Sequence, residues 1–146
     1  MPTYTTVVDL TQPGGDYDVP ALRLRGDHML PRLRQSVQHA HRIGVKIVTG
    51  ADTGYGPTSL TRIAGEVASF VELGLSPLDA LRSASSVAAA MLGKERSIGA
   101  LEVGFEADLI AVEGNPLSDV RSLQDPLLVV TNGRVALNRL EFAKGR

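Results

Sequence analysis

The sequence predicts an α/β chain: a strand, helix and strand in succession, then further helices, then a small β element at the C-terminal end. Apolar residues recur at helical spacing up to Gly44 and again up to Gly74. Short runs rich in β-branched residues flank the first of these helices, at 3–9 and 45–50. From Ile98 onward the helical period gives way to strand-like runs joined by Asn132-Gly133.

In chain order, Thr3 to Asp9 is predicted as a short strand leading into a loop, because the turn-forming Gln12-Pro13-Gly14-Gly15-Asp16 follows it. From about Met29, the residues Leu30, Leu33, Val37, Ala40 and Ile43 mark an amphipathic helix that Gly44 ends as a left-handed cap. Val45 to Gly50 is a short apolar run, the pattern of a buried strand in a parallel sheet, so strand, helix and strand form a βαβ unit. After a Gly-rich loop, 51–57, a second helix is marked by Leu60, Ile63, Ala64, Val67, Phe70 and Val71 and closes at Gly74. Ser76-Pro77-Leu78-Asp79 supplies an N-cap, a proline in the first turn and an acid beside it, opening a third helix through about Ala84. A short fourth helix spans Val87 to Leu92, capped by Gly93. Ala107 to Val112 and Leu127 to Thr131 are predicted strands, and Asn132-Gly133 is a hairpin turn leading into Val135-Ala136-Leu137.

Composition narrows the function. At 146 residues and 43% hydrophobic content, the chain is long enough for one core and short for two, so it is expected to fold as one unit. Lys plus Arg number 15 against 16 for Asp plus Glu, with no run of either sign; nothing here attracts DNA, RNA or an anionic membrane. The absence of cysteine excludes disulfides, thiolate metal sites and a cysteine nucleophile. No stretch approaches a membrane span and the N-terminus lacks the pattern of a signal peptide, so a cytoplasmic location is expected.

Reactive groups in parallel α/β folds collect at the C-terminal ends of strands, and Asp52 stands there, after Val45 to Gly50, among Gly50, Gly54 and Gly56. A carboxylate so placed can ligate a metal or take a proton from an attacking water; it can also be a loop aspartate bonding its own backbone. His39 and His41 lie two apart, which on a helix separates them by about 200°, so they do not chelate one ion. His28 lies near the expected helix start, close to the proline that begins it, and suits a ligand or a cap equally. Ser83, Ser85 and Ser86 suit helix-end caps better than nucleophiles, and Asp108, at the start of a strand, suits a structural role.

The residues from Gly44 to Gly54 resemble the eighth barrel strand and catalytic loop of the amidohydrolase superfamily, in particular its imidazolonepropionase and prolidase-like branch. Gly74 to Arg82 resembles the helix pair after that strand, and Ala88 to Gly93 its continuation. Ile98 to Ile110 is similar to the entry into the family's β-sandwich, which Gly114-Asn115-Pro116-Leu117 and Asn132-Gly133-Arg134-Val135 continue. The match covers roughly Gly44 to Ala136, and Pro2-Thr3-Tyr4 looks like the seventh strand. This resemblance implies a partial (β/α)8 barrel, its last two βα units, followed by the C-terminal part of a small β-sandwich. It divides the chain into a barrel portion, 1–97, and a sandwich portion, 98–146.

The resemblance further implies a hydrolase of amide, cyclic amide or ester bonds, using divalent metal, usually zinc. Asp52 would be the metal ligand and proton shuttle, with Thr53, Tyr55 and His28 toward the substrate. The family's His-x-His pair and its other metal-binding segments have no counterpart in this sequence. A catalytic zinc takes three protein ligands, so the remaining ligands are expected from another copy or a complementary N-terminal chain, and homo-oligomerisation is expected. Two alternatives stand beside this: a truncated, non-catalytic fragment or oligomerising module, and a metal-independent hydrolase with its site near Asp52.

Overall fold

A computed structural model describes residues 1–15, 17–52 and 62–140 of the chain. Five helices come first: α1 (Tyr4–Thr11), α2 (Pro20–Arg42), α3 (Arg62–Glu72), α4 (Pro77–Ser83) and α5 (Ser86–Met91). An antiparallel sheet of β1 (Leu109–Val112), β2 (Pro126–Thr131) and β3 (Arg134–Asn138) follows, with a 3-10 helix at Val120–Gln124 between β1 and β2. Among the described residues, no helix is long and apolar enough to cross a membrane.

The segment expected as the first strand is helix α1. Thr3 at its N-cap is left-handed, with φ 46°, and its side chain does not cap the helix. The capping acceptor comes from α3 instead: the Glu66 carboxylate receives the main-chain N–H groups of Tyr4 and Thr5, each at 2.8 Å. β-Branched residues disfavour a helix by only a few tenths of a kcal/mol each, about 0.7 at most. Burial of Tyr4 and Val7 together with this cap outweighs that bias.

Helix α2 begins well before Met29, with Pro20 in its first turn, and runs straight through Pro31. The Pro31 signal therefore marks no boundary. Pro31 and Asp27, whose carbonyl loses its helical donor to the proline ring, are both exposed, so water can replace the missing bond. The C-terminal end is as expected. Gly44, at φ 80°, donates its N–H to the His41 carbonyl and Val45 donates to Ala40, the paired bonds of a Schellman cap. Where α1 crosses α2, a Cβ on Gly26 would lie 2.7 Å from the Leu10 Cβ and 3.2 Å from its main-chain carbonyl carbon, so the helices meet backbone to side chain.

Residues 45–50 pair with no strand among the described residues, although Val48 and Gly50 are buried as a core strand's would be. A ladder needs a neighbour on at least one side. Among the described residues the sheet contains β1 to β3 alone, so this segment meets a helix end instead: Thr49 donates its N–H to the Ser83 carbonyl at 3.1 Å.

Helices α3 to α5 follow the expected pattern. The Ser76 hydroxyl accepts the Asp79 N–H at 3.1 Å and opens α4. Tyr4, Val37, Val67, Ala68, Phe70, Leu73, Leu75 and Ala80 form the core, closed by Val120 from the 3-10 helix. Arg121 pairs with Glu72 at 2.8 Å beside it. In the sheet, Leu109 faces Val130 and Val129 faces Leu137. Asn132 and Gly133, at φ 49° and 70°, make the primed turn that matches strand twist. Asp108 is structural, as expected: its carboxylate accepts the Asn132 N–H at 2.6 Å. Between α3 to α5 and the sheet lies an apolar groove of about 990 Å³, lined by Val67, Leu81, Ala88, Leu109, Val112 and Val130 among others.

Candidate functional site around Asp52

The chain leaves the buried Val48 and Gly50 and delivers Asp52 to the surface two residues later. Gly50 is where residues 1–3 press against this segment, since a Cβ there would fall 2.6 Å from Met1 Cγ and 2.7 Å from Thr3 Cγ2. Asp52 itself is left-handed, at φ 47°, a region uncommon for residues other than glycine but one that aspartate enters more readily than most.

Arg62 holds the main chain of this residue. Its Nη1 donates to the Asp52 main-chain oxygen at 2.5 Å and its Nε to Asp9 Oδ2 at 2.8 Å. The guanidinium carbon lies 5.4 Å from the centre of the Tyr17 ring, close enough for a cation–π contact. Only 3% of Arg62 is exposed. Burial by itself would lower its pKa, but the hydrogen bond with Tyr17 and the ion pair with Asp9 outweigh it and hold the guanidinium above its ordinary value. The group is a permanent cation.

One helical turn beyond Arg62, Glu66 is fully buried, and its Oε2 also accepts the Thr5 hydroxyl at 3.0 Å. Burial pushes its pKa up, while the bonds from Thr5 and Tyr4 pull the other way and only partly offset it. One face of α3 thus grips α1 at its start through Glu66 and near its end through Asp9, and reaches Asp52 from the same Arg62 side chain. The sequence reading missed Arg62, Glu66 and Asp9. A usable signal was present: Glu66 falls three residues after Ile63 and four before Phe70, inside the apolar stripe of α3 where a charge needs a partner.

The other expected site residues are distributed as follows. His28 is exposed within α2 rather than at its start. His39 is exposed and His41 half-buried near Leu73, on a helix as the argument against chelation requires. The Ser83 hydroxyl donates to the Ala80 carbonyl and that of Ser85 to Leu81, so both serve the local backbone. Thr53 and Tyr55, with Gly54 and Gly56, lie outside the described residues. No cluster of three or more His, Cys, Asp or Glu suited to a metal occurs among the described residues. Asp52 alone does not fit a catalytic metal, which takes three protein ligands.

Comparison with known proteins supplies the context. Residues 2–136 match the model of the amidohydrolase family. Over 98 residues the chain is 39% identical to ochratoxinase of Aspergillus niger, which is 65% of this chain and 19% of that protein. A solved Xaa-Pro dipeptidase, with methionine bound in its active site, superimposes with a TM-score of 0.77 at 28% identity, over 93% of this chain and 33% of the dipeptidase. The A. niger ochratoxinase structure superimposes with a TM-score of 0.70 at 28% identity, over 93% of this chain and 32% of the enzyme. The chain therefore spans about a fifth of its curated relative and a third of the solved ones.

Proposed function

Because this chain belongs to the amidohydrolase family, we propose that it is the Asp52-bearing portion of a hydrolase that cleaves amide, cyclic amide or ester bonds with an activated water. Asp52 accepts the proton of that water, and Thr53, Tyr55 and His28 contact the substrate. The observation that carries this reading is the presentation of Asp52: exposed, left-handed, and tied through its main chain to a buried arginine. The ochratoxinase and dipeptidase relatives make amide bonds the first substrates to try.

The family is generally metal-dependent, and we infer zinc as the metal; Asp52 would be one of its ligands, and the ion would supply Lewis acidity to the attacking water. The described residues of this chain supply one ligand, Asp52, so the others come from a second copy or a complementary chain. In this reading 1–97 is the end of a barrel and 98–146 the end of a sandwich, one folding unit with surfaces made to be covered. One observation supports that: Leu101, Val103 and Ile110 are each at least half exposed.

The test measures metal content, solution mass and turnover of dipeptides, lactones and phosphotriesters on one preparation. An assembly larger than one chain, with stoichiometric zinc and a turnover that Asp52→Asn abolishes, is the expected result. Turnover in a metal-free monomer supports the alternative of a metal-independent site, which the lone carboxylate favours. A folded chain without turnover in any assembly refutes a hydrolytic role.

A further inference from the structure

We propose that Arg62 is a positioning residue for Asp52, and that Asp9 and Tyr17 are there to aim it. This rests on the reading of Asp52 as the proton acceptor.

A main-chain carbonyl on an exposed loop ordinarily takes its hydrogen bond from water. Here it takes one from a guanidinium that is 97% enclosed and carries full charge. Placing a cation so deep is costly, and Asp9 alone would offset the charge if structure were the sole purpose. The bond at 2.5 Å to Asp52 adds a second task, because it joins two residues ten positions apart in the chain. It also holds Asp52 in one of the several conformations open to an aspartate. A left-handed φ of 47° turns the Cα–Cβ bond away from the direction that an extended residue would give it, so whatever holds the main chain there aims the carboxylate.

The planar fork of an arginine suits this work. Nε points to Asp9 while Nη1 points to Asp52, along directions fixed by one rigid group, and the Tyr17 ring beneath it limits rotation. Asp9 sits in the last turn of α1, and Glu66, on the same face of α3, holds the first turn. The position of α1 is thereby transmitted to the direction of the Asp52 carboxylate.

Arg62→Lys tests this. Lysine keeps the charge and its partner Asp9, but a single ammonium on a flexible stem does not reproduce the fork. In the active assembly, kcat should fall by roughly 10- to 100-fold with KM little changed, while the midpoint of unfolding stays near that of the parent. An independent readout needs no activity: the main-chain carbonyl ¹³C shift of Asp52 should move on Arg62→Lys as the hydrogen bond is lost. A kcat within twofold of the parent, or an unmoved Asp52 carbonyl shift, overturns the proposal. Asp52→Asn separates the two claims. If it leaves turnover intact, the role of Asp52 fails, and the carbonyl shift still decides whether Arg62 holds that main chain.

Discussion

Thr5 presents both its main-chain N–H and its hydroxyl to one oxygen of Glu66, at 2.8 and 3.0 Å, across 61 residues of chain. The second Glu66 oxygen takes the Tyr4 N–H at 2.8 Å. Both donors belong to the first turn of α1, where an α-helix has no internal acceptors of its own. A side chain from another helix is thus the N-cap, and α1 exists where it does because α3 is beside it.

Removing that acceptor while keeping the volume should therefore be severe. Glu66→Met leaves two main-chain donors buried without partners, at about 1–3 kcal/mol each. Urea denaturation should show a loss within that range or somewhat above it. A change under about 0.5 kcal/mol, the size of an ordinary surface substitution, would mean that water caps α1 instead.

The pH dependence has a definite sign. The folded pKa of Glu66 is raised by burial, so the native state binds its proton more tightly than the unfolded chain does. The stability contributed by this group is complete below the ordinary carboxylate pKa and is lost as pH rises through the raised folded value. Glu66→Gln cannot titrate there. Stability of the parent minus that of Glu66→Gln should decline from acid toward neutral pH, and an increase would show that the three hydrogen bonds outweigh burial.

Two glycines in helices should answer oppositely to the same change. At Gly65 an added methyl meets only Thr5 Cγ2, at 3.4 Å, so Gly65→Ala should stabilise by up to about 1 kcal/mol through helix propensity. At Gly26 the methyl meets Leu10, side chain and backbone, and overpacking of about 1–3 kcal/mol should exceed the same gain. Thermal melts of the pair read the difference directly.

Asp108→Ala removes the acceptor of the Asn132 N–H at the β2–β3 turn and should cost about 1 kcal/mol. Turnover per folded molecule should not change, since the hairpin makes none of the described contacts around Asp52. A selective loss of kcat would place Asp108 in the chemistry.

Chelation offers the last test. If the assembly uses zinc, dialysis against a chelator should abolish turnover and added zinc should restore it, while the circular dichroism of this chain is unchanged. That invariance follows because no cluster of three or more His, Cys, Asp or Glu suited to a metal occurs among the described residues, too few ligands to make folding depend on metal.

Much of the local structure was legible from residues alone. The caps at Gly44, Ser76 and Gly93, the primed turn at Asn132-Gly133, the strands around Leu109 and Leu128 and the separation of His39 from His41 are short-range consequences of backbone sterics and local hydrogen bonding. The amidohydrolase family was also legible, because ordered motifs survive in a sequence whatever surrounds them. Three matters were settled only in three dimensions. Thr3 to Asp9 became a helix because Glu66 caps it from another element. Residues 45–50 went without a ladder because no strand lies beside them among the described residues. Arg62 came to hold the Asp52 main chain because a buried guanidinium needs partners, and Asp9 and that carbonyl lie within its reach. Each depends on groups distant in the chain and adjacent in space, and local periodicity carries no record of such neighbours.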